Sequence, residues 1–412
     1  MTAERDNALG LYVSIPFCRS KCTYCNFASG VYPASEQGHY VERLVEDLTR
    51  AGAWAAEMVA ELPRRVDTVY LGGGTPSLLA PDLLARLFRA MRLEFDFDPE
   101  AEITVECAPG QISDDVLATL VEAGVNRVSL GVQSFIDSEA HASGRLHERA
   151  MVAEDLRRLR AAGIANLNVD LIAGLAGQTF VSWEESLDVL VEAGVPHASV
   201  YMLEVDEDSR LGREMLAGGV RYKAGLVPSD DAIARMYGSA LGRLAGAGIA
   251  QYEISNFCRT GFGSRHNLRY WQRRPYLGVG LDASSMLRAA PEAKGNRDVL
   301  RATSTDELGA YLEGWQRLDE TRLSVASQHE EAWFLGLRLN EGVEVAAVER
   351  EFGAAMAGAA LRVVGRLTED GLLAFDGERV RLTERGRMLS NDVFQEFLGL
   401  APEGELARPG AR

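Results

Sequence analysis

Cysteine is scarce in this sequence, and long apolar runs are absent from it. The 412 residues include only 5 cysteines, and no stretch approaches the roughly 18 to 20 apolar residues that a membrane helix needs. The first residues, MTAERDNALG, also lack the basic start and apolar run of a secretory signal. We therefore expect a cytoplasmic protein without a membrane span. In that reducing compartment, clustered cysteines more often bind metals or carry out redox chemistry than form disulfides.

Positive charge is in short supply as well. Lys and Arg total 43 against 60 Asp and Glu, which gives a formal net charge of −17. A field of this sign repels nucleic acid and anionic membrane surfaces, so we expect neither as a partner of the whole chain. The length exceeds that of one small domain and predicts a large domain with a smaller one beside it.

Short β-branched runs recur along the first half of the chain, and each is followed by a longer amphipathic stretch. The runs cover residues 11–15, 67–71, 102–106, 126–130, 166–172 and 197–203. Alternating strands and helices indicate a parallel sheet with right-handed crossovers. The count favours an α/β fold with a partial (β/α)6 barrel, and an open doubly wound sheet is the alternative. In both folds the chemistry lies at the carboxyl ends of the strands.

The pattern changes after about residue 290. Residues 329–397 predict three helices, a hairpin with a central Asp-Gly turn, and a further helix. This order is winged-helix-like, and the acidic charge of the chain favours a small α/β cap on the barrel over a DNA-binding domain. The predicted organisation is an N-terminal extension (1–10), the barrel and its extension (11–290), a connecting segment (291–328), the winged-helix-like domain (329–400) and a flexible tail (401–412).

Three of the five cysteines, Cys18, Cys22 and Cys25, lie together directly after the first predicted strand. Thiolates hold iron–sulfur clusters, and a cubane cluster has four irons, so three cysteines leave one iron without a protein thiolate. An open coordination position on a metal usually serves a substrate or cofactor. A zinc site needs a fourth ligand nearby, and the next histidine is His39. Zinc and three incidental thiols are the alternatives.

The cysteine spacing C-x3-C-x2-C after the first strand resembles the radical S-adenosylmethionine (SAM) superfamily. The surrounding stretches resemble the oxygen-independent coproporphyrinogen III oxidase family, and within it the heme chaperone HemW branch. In order, the stretches are LYVSIPFC, VYLGGGTPSLL, EITVECAPG, GVNRVSLGVQSF, LNVDLIAGLAGQT, QYEISNF and RHNLRYW. This resemblance runs from about residue 10 to about residue 395, with the specific motifs within residues 11–281. It implies a [4Fe-4S] cluster on Cys18, Cys22 and Cys25, with SAM on the free iron.

The resemblance also implies which residues bind SAM. They are Tyr12, the backbone near Tyr24, Gly73, Gly74, Thr75, Glu106, Gln133, Arg145 and Asp170. The residue types suit the task, because glycine lets the backbone approach a cofactor closely. A buried polar side chain without a partner costs about 1–3 kcal/mol, so polar residues at strand ends are expected to have one.

Three positions bear on the activity. Phe27 stands where the coproporphyrinogen oxidases have a fourth cysteine, which favours the HemW branch over decarboxylation. His266 lies in R-H-N-L-R-Y-W, which matches the word H-N-x-x-Y-W associated with heme binding in that branch, and the alternative is a hydrogen-bonded structural histidine. Ser284 departs from the family, which usually has a histidine there. Cys107 and Cys258 are expected to be inert thiols.

The function that the resemblance implies is a heme chaperone that binds heme and delivers it to acceptor proteins. The alternative is a radical SAM enzyme that decarboxylates coproporphyrinogen III or methylates carbon with a second SAM, so catalytic activity is left open. The expected partners are heme or another tetrapyrrole, a flavodoxin- or ferredoxin-like reducing partner, a heme-acceptor protein and a second copy of the chain in a homodimer.

Overall fold

The computed structural model describes residues 7–291, 298–314 and 319–400, which form one large sheet, its covering helices and a second small sheet. The first six strands are β1 (Leu9–Ile15), β2 (Arg65–Gly73), β3 (Asp96–Cys107), β4 (Arg127–Gln133), β5 (Asn166–Ala173) and β6 (His197–Met202). Each of the predicted runs falls on one of these strands. The strand predictions are therefore confirmed.

Amphipathic helices connect these strands. They are α1 (Glu36–Glu57), α2 (Pro81–Glu94), α3 (Asp114–Glu122), α4 (Asp137–Ala142), α5 (Arg149–Ala161) and α6 (Phe180–Glu192). The hydroxyl of Ser113 accepts a hydrogen bond from the Val116 amide, which makes Ser113 the N-cap of α3 as its sequence predicts. Helix α6 buries Trp183 and Leu187 against the sheet, as a helix with one apolar face does.

The strands β1 to β6 pair as parallel neighbours in chain order. Right-handed crossovers between sequential parallel strands put every helix on the same face, so the sheet curls around its other face. A doubly wound sheet would instead reverse its strand order midway. Among the described strands the sheet ends at two edges, and the prediction of a partial (β/α)6 barrel is confirmed.

The chain after β6 extends the sheet at both edges. This part comprises α7 (Arg210–Ala217), α8 (Asp230–Gly246), β7 (Ala250–Glu253), β8 (Asn256–Cys258), α9 (Arg265–Trp271), β9 (Tyr276–Val279), β10 (Ser284–Arg288), β11 (Val299–Thr303), α10 (Leu308–Glu313) and β12 (Thr321–Leu323). Strand β8 is antiparallel to β6, and β9 is parallel to β1. Strands β11 and β12 lie in the segment predicted as a connection, so its described part also belongs to the sheet.

The two faces of the barrel strands differ in polarity. On the outer face, Val69 lies opposite Ile103 and both are buried under the helices. On the inner face the paired residues are polar, with Thr68 opposite Glu102 and Thr104 opposite Arg127. Because side chains alternate along a strand, one sheet supplies both an apolar layer and a polar barrel interior.

Helix α9 closes the amino-terminal end of the barrel interior. The carboxylate of Glu102 accepts hydrogen bonds from the amides of Arg265 and His266, both at 3.1 Å. The fully buried Arg269 pairs with Asp67, and burial lowers the pKa of Arg269 to about 9. Its guanidinium also donates to two backbone carbonyls at 2.7 and 2.9 Å. These bonds hold α9 against the base of β2 and β3.

The C-terminal part forms a second hydrophobic core around Trp333, which stacks on Phe397 at 5.3 Å. Its elements are α11 (Val325–Gly336), β13 (Val343–Glu344), α12 (Val345–Phe352), α13 (Ala354–Glu369), β14 (Leu373–Phe375), β15 (Arg379–Leu382), α14 (Glu384–Met388) and α15 (Ser390–Gln395). The predicted three helices and hairpin are confirmed, with the left-handed Gly377 in the turn. The single helix predicted after the hairpin is divided into α14 and α15, and strand β13 was not predicted. The predicted tail (401–412) lies outside the described residues.

Among the described residues, no helix has both the length and the apolar character needed to cross a membrane.

Removal of the Asp67 carboxylate should destabilise the fold strongly. Replacement by alanine leaves the guanidinium of Arg269 buried without its carboxylate partner, and breaking a buried pair in this way costs about 3–5 kcal/mol. We expect Asp67→Ala to lower the free energy of unfolding in urea by that amount. The matched control is Asp96→Ala, which breaks an exposed 3.6 Å pair with Arg64 and should cost less than about 1 kcal/mol. Equal losses for the two variants would contradict the structural role of the pair.

Candidate functional site

A cavity of about 300 Å³ lies at the carboxyl ends of the barrel strands, where the polar interior opens to the surface. Most of the residues assigned in the sequence analysis line it. These are Cys18, Cys22, Tyr24, Cys25, Gly73, Gly74, Thr75, Glu106, Gln133, Arg145 and Asp170. The structure thus brings together one loop with three thiols, one glycine loop and polar side chains from three further strand ends.

The cysteine loop is shaped by hydrogen bonds to its own backbone. The ammonium group of Lys21 donates to the carbonyl oxygens of Phe27 and Ser29 at 2.6 and 2.8 Å. The Cys18 amide donates to the Gly30 carbonyl at 2.8 Å, and the Thr23 amide to the Ser143 carbonyl at 3.0 Å. These bonds cross the loop, and the three thiols lie at one wall of the cavity.

The glycine loop packs directly against the start of the cysteine loop. The Gly74 amide donates to the Ile15 carbonyl and the Thr75 amide to the Phe17 carbonyl, both at 2.8 Å. A Cβ atom on Gly74 would lie 2.8 Å from the Ile15 oxygen and 2.9 Å from the Phe17 oxygen. Gly73 adopts a left-handed φ of +96°. Glycine is therefore required here for close approach of two backbone segments.

Two half-buried carboxylates face the cavity, Glu106 from β3 and Asp170 from β5. The Tyr70 hydroxyl donates to Glu106 Oε1 at 2.7 Å, and burial raises the pKa of Glu106 to about 7. Asp170 accepts hydrogen bonds from Asn168 at 2.6 Å and from Ser129 at 3.1 Å, and burial also raises the pKa of Asp170. At a pKa of about 7 Glu106 is only partly ionised at neutral pH, so a cationic or hydrogen-bond-donating ligand would favour its carboxylate form.

Other cavity-lining polar atoms have unused hydrogen-bonding capacity. The Oε1 atom of Gln133 and the Nε atom of Arg145 are buried without a hydrogen-bond partner among the described residues. Another nitrogen of Arg145 donates to the Tyr24 hydroxyl at 3.3 Å. Gln133 also has a left-handed φ of +70°, and such strain concentrates at functional sites. These unused groups fit a polar ligand such as SAM, which would complete their hydrogen bonds.

The thiols fit a multi-iron cluster better than one metal ion. Among the described residues, no three Cys, His, Asp or Glu side chains are placed to hold a single ion together. The thiolates of a cubane cluster bind different irons, so they need not converge on one point. Burial raises the pKa of the Cys18 thiol, so bound iron would be needed to hold it as a thiolate.

Tyr12 and His266 do not line the cavity. The ring of His266 is 1% exposed, and its Nδ1 and Nε2 atoms lie 3.0 Å from the Thr68 hydroxyl and 2.9 Å from the Tyr270 hydroxyl. Burial lowers the pKa of His266 to about 3. Tyr12 packs beside this histidine and Tyr70, whose rings also contact each other directly at 5.2 Å. Both ring nitrogens of His266 are thus hydrogen-bonded within the protein, as expected for a structural histidine.

Of the four other residues singled out in the sequence, Cys107 and Phe27 line the cavity, and Cys258 and Ser284 do not. Cys107 lines the cavity as a buried thiol, and burial raises its pKa to about 12. Cys258 lies on β8 outside the cavity lining. Ser284 is exposed on β10, where its hydroxyl lies 3.0 Å from that of Thr303. Phe27, in the position of the missing fourth thiol, is 62% exposed at the cavity wall.

Sequence reasoning missed two aromatic residues of the site. Tyr70 bonds Glu106, and Tyr201 lines the cavity from the end of β6. The available signal was the two-residue alternation of strands, which places Tyr70 on the same face as Gly72 and Tyr201 on the same face as Ser199.

Comparisons with known proteins identify the family of the chain. The radical SAM superfamily model matches residues 12–190, and the model of the HemN C-terminal domain matches residues 323–389. The chain is 35% identical to the heme chaperone HemW of Lactococcus lactis, with 94% of this chain and 96% of the relative covered. It is 34% identical to the heme chaperone HemW of Mycobacterium tuberculosis, with 95% of both chains covered. The chain belongs to the HemW family of radical SAM proteins.

A solved structure outside the HemW branch has the same fold. Coproporphyrinogen III oxidase (HemN) from Escherichia coli, described as a radical SAM enzyme, superposes with a TM-score of 0.80 over 96% of this chain and 91% of that chain. The sequence identity is 24%, so this likeness establishes the fold alone. Membership of the HemW family also implies the [4Fe-4S] cluster and SAM that the cavity fits.

Glu106 should make the stability of the cluster-free protein depend on pH. Its pKa is raised from 4.5 to about 7 in the folded chain, so its contribution is complete below pH 4.5 and is lost as the pH rises through 7. We expect Glu106→Gln to reduce the loss of unfolding free energy between about pH 5 and about pH 8. Urea denaturation at several pH values would measure this. An unchanged pH profile, or an equal change in the exposed control Glu57→Gln, would contradict the assignment.

Loss of one loop thiol should abolish the cluster. After anaerobic reconstitution, Cys22→Ala should lack the broad visible absorbance and the iron content of the wild type, because one cluster iron loses its protein ligand. Cys258→Ala removes a thiol outside the cavity lining and should reconstitute normally. A full four-iron cluster in Cys22→Ala would refute the assignment.

Proposed function

We propose that this protein is a heme chaperone that carries a [4Fe-4S] cluster on Cys18, Cys22 and Cys25, binds SAM beside it, and delivers heme to acceptor proteins. The observation that carries the cofactor part is the single cavity shared by the cysteine loop, the glycine loop and the strand-end polar residues. The heme part is carried by the similarity to heme chaperones over nearly the whole chain.

The residues of the cavity suit these cofactors by their chemistry. When bound, the cluster would supply an open iron for SAM and an electron for cleavage of its sulfonium bond. The backbone at Gly73 and Gly74 permits close approach of a ligand, since neither residue carries a side chain. The carboxyls of Glu106 and Asp170 are acceptors for the polar groups of SAM, while Arg145 supplies an unused donor.

The assignment of Phe27 to the place of the fourth oxidase cysteine argues against decarboxylation of coproporphyrinogen. Phe27 is exposed at the cavity wall, and its side chain has no thiol that could act there as the fourth cysteine does in the oxidases. We propose in addition a cytoplasmic location, a one-electron donor of the flavodoxin or ferredoxin type, and a homodimer as the assembled state.

We retain His266 as the proposed heme ligand, with a structural condition attached. Histidine is a competent axial ligand of heme iron. Because both ring nitrogens are hydrogen-bonded inside the barrel, ligation requires one of them to leave Thr68 or Tyr270. Heme binding through His266 is therefore expected to be accompanied by movement of α9.

An anaerobic heme titration of the reconstituted protein tests the proposal. We expect saturable absorbance changes near about one heme per chain, and weaker binding in His266→Ala because the axial ligand is lost. His329→Ala is the matched control, since His329 is equally buried but lies in the C-terminal core. Absence of saturable binding in the wild type would refute the chaperone function. Unchanged affinity in His266→Ala would refute only the role of that residue.

A further inference from the structure

A column of four aromatic rings connects the cofactor cavity to helix α9. From the cavity downward it consists of Tyr70 with Tyr12 beside it, then His266, then Tyr270, and we call this set the aromatic column. The Tyr70 ring lies 5.2 Å from the His266 ring and 6.2 Å from the Tyr12 ring, measured between centroids. His266 in turn lies 5.2 Å from Tyr270, edge to face. The rings are close enough that displacement of one requires its neighbour to move.

Strand β2 builds the column through alternate residues on its inner face. Thr68 holds the His266 ring by its hydroxyl, and Tyr70 stacks above that ring. Gly72 then leaves room for the pair formed by Tyr70 and Glu106. A Cβ atom on Gly72 would lie 2.9 Å from the Tyr70 ring and 3.1 Å from the Glu106 carboxyl. The Tyr70 and Glu106 side chains thus pack directly against the backbone of Gly72, where a larger residue would displace them.

The lower end of the column is fixed by hydrogen bonds. The two ring nitrogens of His266 are held by Thr68 and Tyr270, while Glu102 holds the amides at the start of α9. His266 therefore occupies one defined position and forms the wall against which the Tyr70 ring rests. The Tyr70 hydroxyl, on the ring that rests against this wall, donates to Glu106 at 2.7 Å.

We propose that Tyr70 is a positioning residue for the Glu106 carboxylate, and that through it the H-N-x-x-Y-W helix controls how tightly the cavity binds SAM. The inference rests on the proposed function for the role of Glu106 in SAM binding. It adds that His266 acts on the cofactor end of the barrel whether or not it ever ligates heme. By thermodynamic linkage, SAM must affect any process that displaces His266 to the same extent.

The test measures SAM affinity in the absence of heme, by equilibrium dialysis of the reconstituted full-length protein. Tyr70→Phe keeps the ring but loses the hydroxyl, and should weaken SAM binding about tenfold because a hydrogen bond to a carboxylate is lost. His266→Ala should weaken it by about fivefold or more. The double variant should bind no more weakly than Tyr70→Phe, because both changes act through one hydrogen bond.

A conservative replacement separates positioning from iron ligation. His266→Phe restores a ring against Tyr70 but has no nitrogen for iron. We expect it to recover SAM affinity to within about twofold of the wild type while its heme affinity stays as low as that of His266→Ala. Should His266→Ala fail to fold, Tyr270→Phe takes its place in the double-variant measurement, since it frees the same ring nitrogen.

Two matched controls exclude general effects of lost buried groups. Tyr311→Phe also removes a tyrosine hydroxyl that donates to a carboxylate, that of Asp47 at 2.5 Å, but Tyr311 is outside the cavity lining. His329→Ala removes an equally buried histidine. Both should bind SAM as the wild type does.

Two results would overturn the proposal. One is SAM affinity within about twofold of the wild type in either Tyr70→Phe or His266→Ala, and the other is fully additive losses in the double variant. Failure of this proposal can be distinguished from failure of the proposed function. A wild type that binds SAM but no heme refutes the chaperone function and leaves this measurement intact. A wild type that binds no SAM refutes both the cofactor assignment and the coupling.

Discussion

The register of the parallel strands places Tyr12 opposite Tyr70 and Glu106 opposite Ser129 on the inner face of the sheet. Every polar residue of the site depends on this register, because a shift by one residue would turn these side chains outward into the apolar helix layer. The apolar residues on the outer face of the sheet stabilise this register. Val69, Ile103 and their neighbours are buried under the helices and would be exposed to the polar interior by the same shift.

A polar barrel interior is costly unless its groups bond one another, and the structure shows how that cost is offset. Asn168 donates to both Ser129 and Asp170, and Glu102 accepts the amides of α9. At the cavity the pattern changes, since Gln133 and Arg145 retain buried atoms without partners among the described residues. Polar groups without hydrogen-bond partners therefore occur at the cavity, which is where a ligand is expected to supply the missing bonds.

Much of the fold was accessible from sequence, for local reasons. Strand runs such as 166–172 place apolar residues at alternate positions over a length that few helices share, and Ser113 caps α3 through a neighbour three residues away. Strands β10 to β12 escaped prediction, because short antiparallel strands bury few residues and their pairing depends on the distant edge formed by β9. The polar inner face was equally hidden, since it matters only once the sheet has curled.

The site also has residues that the sequence predicts and residues whose position depends on the tertiary structure. The sequence by itself determined the three thiols and the glycine loop, because their spacing along the chain is the property that ligands of a cluster require. It did not determine where His266 lies. The partners of that ring are Thr68, 198 residues earlier in the chain, and the rings of Tyr12 and Tyr70. Only the tertiary structure decided that a motif associated with heme binding is folded inside the barrel, because hydrogen bonds and ring contacts between distant segments exist only after the sheet has curled around α9.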